Sequence, residues 1–324
     1  MSRVPAFPAF AALASIVLAA FAVAIGSGSV ALDPAAVLRA LVGAGDATAR
    51  GIVQELRLPR AIAAFATGGS LALAGAILQV LLRNPLADPY VLGVSGGAAA
   101  GALLAMLLGA AAWATPIGAF GGALASAALV FALARGSGAW SPIRLLLTGV
   151  IMASGWGALV ALILTLAPET QLRGMLFWLI GDLSSAPAAW TPLTIAVFGV
   201  AAIMPFARDL NVLARGESVA AALGVSVTRL PWLLFALSAL LTAVAVTTAG
   251  AIGFVGLIVP NGVRLLLGND QRILLPASAL AGGALLLLAD TAARLLLAPA
   301  QLPVGVVTAL IGVPVFLYLL LRER

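Results

Sequence analysis

Apolar runs of roughly twenty residues, the length that crosses a lipid bilayer as a helix, recur along almost the whole sequence and are parted only by short clusters of Pro, Gly and Arg. They lie at about residues 9–30, 61–82, 91–110, 115–134, 144–166, 191–206, 231–250, 252–267, 273–293 and 304–321. A water-soluble globule is excluded: 63% of the 324 residues are apolar and 9% are charged, where a soluble domain has roughly 45–50% and 25%. The expectation is an all-α, polytopic membrane protein with about ten transmembrane helices. Arg3 ahead of an apolar stretch ending in Gly26-Ser27-Gly28-Ser29 has the look of a signal peptide, but nine further spans favour a retained first helix.

All 17 basic residues are arginine, and the chain has no Lys, His or Cys. A phosphate-binding loop needs its lysine on the nucleotide phosphates, so no ATPase site of that kind resides here. Thiolate or imidazole ligation of zinc, haem iron or an iron–sulfur cluster has no ligands, and no metal site is expected. A net charge of +6 spread so thinly through an apolar chain reflects membrane topology rather than nucleic-acid binding.

An even number of spans puts both termini on one side. With that side cytoplasmic, the inner segments hold Arg3, Arg83, Arg135, Arg144, Arg208, Arg215, Arg229, Arg264, Arg272, Arg322 and Arg324, and the outer segments hold Arg39, Arg50, Arg57, Arg60, Arg173 and Arg294. The arginine excess therefore supports cytoplasmic termini. Within the spans ionisable groups are almost missing; Asp290 has Arg294 one helical turn on, near the outer boundary. Ion-coupled carriers place carboxylates or histidine at mid-membrane depth, and without them the energy for transport comes from elsewhere. The spacings Gly93, Gly97, Gly101 and Gly118, Gly122 read as tight helix packing in lipid rather than as substrate contacts.

Arg57-Leu58-Pro59 opens the second run and Arg229-Leu230-Pro231 the seventh, and each is followed by Ala-Gly-Ala-Ile, at Ala74–Ile77 and Ala249–Ile252. By the span count the two motifs face opposite sides. Two inverted five-helix halves would produce this, an architecture of transporters rather than of simple anchors; chance matches in an Ala/Leu-rich chain are the other explanation.

The densest motifs run from Arg57-Leu58-Pro59-Arg60 through Gly68-Gly69-Ser70, Gly75 and Gln79 to Arg83-Asn84-Pro85-Leu86-Ala87-Asp88-Pro89 and Leu92-Gly93-Val94-Ser95-Gly96-Gly97. Others are Arg144-Leu145-Leu146-Leu147, the stretch from Gly216 to Val225, Gly250-Ala251-Ile252-Gly253-Phe254-Val255-Gly256-Leu257-Ile258-Val259-Pro260, Ala289-Asp290 with Arg294, and Leu302-Pro303-Val304-Gly305. On these, from about residue 50 onward, the chain resembles the FecCD-type permease subunits of ATP-driven importers for cobalamin, haem and ferric siderophores. Relatives usually carry histidine after the Ile-Val-Pro of the eighth run, where this chain has Asn261, and small hydroxyl residues at the gate beside the fifth, where it has Ser141-Pro142-Ile143.

The resemblance implies one transmembrane permease domain over residues 1–324 that is not an enzyme and translocates a metal chelate inward. It further implies a homodimer in the bacterial inner membrane, two ATPase subunits on the cytoplasmic face that carry the ATP and Mg, and a periplasmic substrate-binding protein. Arg57, Arg60 and Arg294 would dock acidic residues of that binding protein, since guanidinium groups pair strongly with carboxylates; alternatively Arg57 and Arg60 anchor a helix at lipid headgroups and Arg294 simply pairs with Asp290. Arg215, Glu217, Ser218, Ala221, Leu223 and Gly224 would form the coupling helix that contacts the ATPase, capped by Ser218 or Glu217 and ended at Gly224; the other reading is an interfacial loop helix with a snorkelling arginine. Asn84 and Leu86, with Ser141 as another constriction, would close the pathway at its cytoplasmic end, or else form an ordinary inter-helix turn. Apart from the resemblance, two competing functions stand: an ion-coupled secondary transporter with an inverted repeat, and a membrane scaffold that transports nothing.

Overall fold

The computed structural model describes residues 6–135, 141–184, 189–298 and 300–322. Arg3 and Arg324, used above in the topology argument, lie outside the described residues. The regular elements among those described are all helical. Helix α1 (Ala6–Gly26) is followed by two short helices, α2 (Pro34–Leu41) and α3 (Ala47–Arg50), and a π-helical stretch, Gly51–Arg57, that leads directly into α4 (Leu58–Leu81). Then come α5 (Val94–Leu107), α6 (Ala114–Arg135), α7 (Pro142–Leu166), α8 (Glu169–Ile180), α9 (Trp190–Ile203), α10 (Ala207–Leu213) and α11 (Glu217–Ala222). The chain ends with α12 (Arg229–Ala249), α13 (Val255–Leu267), α14 (Gln271–Leu295) and α15 (Val304–Arg322).

Each expected apolar run coincides with a helix, and seven of these helices are long and apolar enough to cross a membrane. The remaining three, α5, α13 and α15, are shorter apolar helices over their described residues, so this is a multi-pass membrane protein whose spans are not all full length. Elements α2, α3 and α8 were not expected as helices. In α3, Asp46 Oδ2 accepts the Thr48 and Ala49 amides at 3.0 and 3.2 Å, and the Ala49 hydrogen bond foremost holds the Asp46 carboxyl below its usual range.

Helix α4 is the axis of the molecule, buried along almost its whole length from Ala61 to Leu81. Glycines make that possible by letting backbones touch. A Cβ on Gly68 would lie 2.2 Å from the Gly282 carbonyl oxygen of α14, and one on Gly75 would lie 2.0 Å from that of Gly256 in α13. The pairs noted in the sequence behave alike: Gly97 meets Gly122 and Gly101 meets Gly118 where α5 crosses α6. Tight packing is therefore the role these glycines play.

Helices α4 and α12, which carry the two Arg-Leu-Pro motifs, pack against each other, and Ser238 Oγ of α12 donates to Ala74 O of α4 at 3.3 Å. They run in opposite directions. The start of α4 gathers the C-terminal ends of α1 and α14, whereas Asp182 N bonds Ala249 O at the end of α12 and the start of α12 follows α11. Exchanging the halves maps α14 on α4 onto α6 on α12, and α13 on α4 onto α5 on α12; all four packings exist. The first helix of each half breaks the pattern, because α1 lies on α14 while α9 lies on α4.

The two short helices α5 and α13 start inside the bundle. The Pro89 ring packs against Gly256, which also faces Leu71 O in the middle of α4. At a rise of about 1.5 Å per residue, Leu71 is roughly 15 Å short of the end of α4. The turn after α4 thus folds back into the bundle, and the irregular stretch 250–254 enters it from the opposite side. They meet where Ile252 N donates to Tyr90 Oη at 2.6 Å. Non-helical backbone at membrane depth must find partners within the protein, and Tyr90 supplies one.

Candidate functional site

Apart from Ser141, the functional residues expected from the sequence fall at the two ends of α4. At its start, Pro59 is the second residue of α4, directly after the π-helical stretch Gly51–Arg57. Arg57, just ahead, turns inward: its guanidinium donates to Ile25 O at 2.8 Å, Gly26 O at 3.2 Å and Val30 O, closing the carbonyl end of α1. Gly28 makes room, since a Cβ there would lie 2.7 Å from Arg57 Nη2. Arg60 pairs with Asp290 at 2.8 Å and donates to Gln301 Oε1 at 2.9 Å. Arg294 pairs with the other carboxylate oxygen of Asp290 at 3.2 Å and also donates to Ala24 O at 3.2 Å.

The three arginines are therefore brought to one cavity, as expected, with Arg60 and Arg294 sharing one fully buried carboxylate and Arg57 beside them. The Asp290–Arg294 pairing is present, but Arg60 shares the same acid. Arg57 and Arg294 are only 5% and 8% exposed, so Arg57 is held by α1 rather than by lipid headgroups. Arg60 is the most accessible of the three. With Glu55 and Gln301 they line a cavity of about 340 Å³, and three guanidinium groups against the Asp290 and Glu55 carboxylates leave it cationic.

At the other end of α4 lie α10 and α11. Asn211 of α10 donates to Asp270 Oδ1 at 2.8 Å and accepts the Gln271 amide at 2.9 Å, seating α10 on the start of α14. Helix α11 buries Ala220 alone; Ser218, Ala221, Leu223 and Gly224 are exposed, as is Arg215 before it. Gly224 ends the helix as expected, with φ +79° and the Val225 amide bonded to Ala220 O at 2.9 Å. The expected cap is corrected: Gly216, at φ +115°, occupies the N-cap position with no side-chain cap from Ser218 or Glu217. Glu217 is engaged elsewhere, in a 2.7 Å ion pair with Arg83.

Arg83 opens the Asn84–Leu86 turn. Asn84 Oδ1 accepts the Leu86 amide at 2.9 Å, an Asx turn that leaves Leu86 45% exposed. Ser141 Oγ instead caps α7, accepting the Arg144 amide at 3.4 Å, and among the described residues no hydrogen bond joins it to Asn84 or Leu86. So the structure brings the coupling residues and the Asn84–Leu86 turn together, while Ser141 belongs to a separate helix start.

One group carried no role in the sequence reading. Arg264 Nη2 donates to Gln79 Oε1 at 2.8 Å and Nη1 to Asn261 Oδ1; Asn261 Nδ2 donates to Pro85 O and Leu257 O, both at 2.9 Å. Gln79 Nε2 reaches Gly256 O and Leu257 O at 3.3 Å. The network binds the Asn84–Leu86 turn to α13. Its signal was visible, because Gln79 interrupts an apolar run and Asn261 departs from the histidine of relatives, but only folding shows that they meet.

Comparison with known proteins matches residues 16–322 to the FecCD transport family. The chain is 46% identical over 199 residues to the cobalamin import system permease protein BtuC of Halobacterium salinarum, covering 60% of this chain and 52% of that protein. It is 42% identical over 202 residues to the hemin transport system permease protein HmuU of Yersinia pestis, covering 60% and 59%. These alignments span between half and three-fifths of the curated relatives. A metal-chelate type ABC transporter solved in an inward-facing conformation superposes with a TM-score of 0.85 at 31% identity, over 98% of this chain and all of that one. With seven apolar helices long enough to cross a membrane and three shorter ones among the described residues, two broken segments meeting inside the bundle and a family match over nearly its whole length, the chain belongs to the FecCD transport family.

Proposed function

We propose that this chain is the membrane-spanning permease subunit of a binding-protein-dependent ABC importer that moves a metal chelate, of the haem, ferric siderophore or cobalamin class, into the cytoplasm. It works as a homodimer in the bacterial inner membrane with both termini inside. The observation that carries the reading is α11: a six-residue helix at the arginine-rich inner side, buried through Ala220 alone and offering a face of small and apolar side chains to another protein. A transport subunit that brings no nucleotide site of its own needs such a contact, and two ATPase subunits holding ATP and Mg fit it.

At the opposite end, the cationic cavity around Arg60 receives acidic side chains of a periplasmic binding protein. Arg57 and Arg294 contribute by holding α1 and α14 in place and by their charge, and Arg60 is the group that reaches the partner. The Asn84–Leu86 turn and the Ser141 helix start close the cytoplasmic side in the resting state. The chain itself breaks no bond; chemistry belongs to the ATPase.

The test is reconstitution in proteoliposomes with an ATPase subunit and a substrate-binding protein of the same importer. Uptake of the chelate that the binding protein carries, dependent on ATP and lost with a hydrolysis-dead ATPase, is the expected result. Uptake by the lone chain on a proton or sodium gradient would replace this reading with ion-coupled secondary transport, and no uptake under either condition would leave a scaffold.

A further inference from the structure

Arg83 occupies a backbone position that its residue type does not favour. It follows α4 with φ +49°, and of the described non-glycine residues only Phe254 shares the left-handed region. The Arg83 amide bonds Val80 O at 3.2 Å and the Asn84 amide bonds Gln79 O at 3.1 Å, the two closing bonds of a helix end whose left-handed residue is usually glycine. Any L side chain is strained there, so the conformation does not account for an arginine. The side chain does: Arg83 Nη2 lies 2.7 Å from Glu217 Oε1, at the first residue of α11. Of the salt bridges among the described residues, this is the one that leaves α11. On its far side Arg83 is continuous with Asn84 and Pro85, and Pro85 O is held by Asn261.

We propose that Arg83 and Glu217 are positioning residues forming the link through which displacement of α11 reaches the Asn84–Leu86 turn. The pair is about two-fifths exposed on both sides, so it contributes little to overall stability; its consequence is directional. A push or pull on α11 is delivered to the one strained residue at the base of the gate turn, and the Gln79–Asn261–Arg264 network keeps the far side of the turn fixed against α13. This inference rests on the transport reading above for its consequence, but the linkage itself is testable without transport.

Arg83→Gly is the informative variant, because it relieves the backbone strain while deleting the link. In nanodiscs the chain carrying R83G or E217Q should unfold at or slightly above the wild-type temperature for R83G and close to it for E217Q. Amide exchange over residues 217–223 and 84–88 should rise together, by roughly two- to fivefold, the size expected for loss of one half-exposed ion pair. In the assembled importer, solute moved per ATP hydrolysed should fall by a similar factor with ATP turnover retained, and the charge swap R83E/E217R should restore both readouts to within about twofold. Unchanged exchange in the single variants, or a swap that restores nothing, overturns the link. If the wild-type assembly takes up no solute with ATP, the transport reading fails on its own, and the exchange experiment still decides whether α11 and the turn are joined.

Discussion

Replacing Gly75 by alanine probes the contact on which the whole bundle is centred. The added Cβ would stand 2.0 Å from Gly256 O, 2.6 Å from its carbonyl carbon and 2.7 Å from its Cα. Ordinary contact begins at 3.4 Å, so the approach is about 1.4 Å too close, and the obstacle is backbone that cannot rotate aside. Nor can α13 withdraw freely, because Gln79 and Asn261 bond it to α4 and to the gate turn. Overpacking of this kind costs roughly 1–3 kcal/mol, against a gain of about 0.5–1 kcal/mol from alanine in a helix. With backbone as the obstacle the cost falls in the upper part of that range, about 2–3 kcal/mol, so the net expectation is a loss of about 1–2.5 kcal/mol and a fall in unfolding temperature of roughly 2–10 °C. Gly121→Ala is the control: it sits in α6 with nothing within 4 Å of the new Cβ, and it should leave the temperature unchanged or raise it slightly. Thermal unfolding of the purified chain in detergent, followed by tryptophan fluorescence, reads both. Equal temperatures for wild type, G75A and G121A would refute the close-contact account of α4.

Two further outcomes follow from buried polar groups. Asp290→Ala leaves Arg60 and Arg294 facing one another without their shared carboxylate, and removing one partner from a buried ion pair costs about 3–5 kcal/mol; detergent unfolding should shift down sharply, and an unmoved transition would mean the cluster is held by its carbonyl contacts instead. Tyr90→Phe strips the partner from the Ile252 amide, a residue with no exposed surface, at a cost of about 1–3 kcal/mol; exchange should accelerate across residues 250–254, and slow exchange there in Y90F would show that the segment is held by other bonds.

The apolar runs made the helices legible because a bilayer allows few other solutions for backbone polar groups. Glycine spacing marked these faces for tight packing because only glycine permits such an approach, but it did not show that α5 packs on α6. The arginine cluster was legible as a cluster but not in its chemistry. Sequence distance hides that Arg57 lies beside residues 25–30, so its use in closing α1 could not be read, and Asp290 was paired with the nearer of its two arginines. The short helix α8 escaped because its polar residues, Glu169, Thr170, Gln171 and Arg173, break the apolar pattern that identifies a span. The cap of α11 failed for a local reason: the helix begins at Glu217, which leaves Gly216 at the N-cap and puts Ser218 inside the first turn, while the Glu217 side chain is paired with Arg83.

The two halves of the chain are alike in most of their helix packings and unlike in the segments that break their helices. Both broken segments enter the bundle and are satisfied by one another through Tyr90, Pro89, Ile252 and Gly256. Yet the first reaches that point through a tight turn with Asn84, Pro85 and Pro89, beginning on a strained arginine, and the second through Gly250 and Phe254, both at positive φ. A conformational change that moved either segment would have to break the Tyr90 bond or carry both segments together. Asn261 fastens the first segment to α13, the helix that the second one starts, and Gln79 in turn fastens α13 to α4. Joint movement would keep the Asn261 bond to Pro85 O but would have to break the Gln79 bonds to Gly256 O and Leu257 O, so α13 and the Asn84–Leu86 turn are held together to the end of α4.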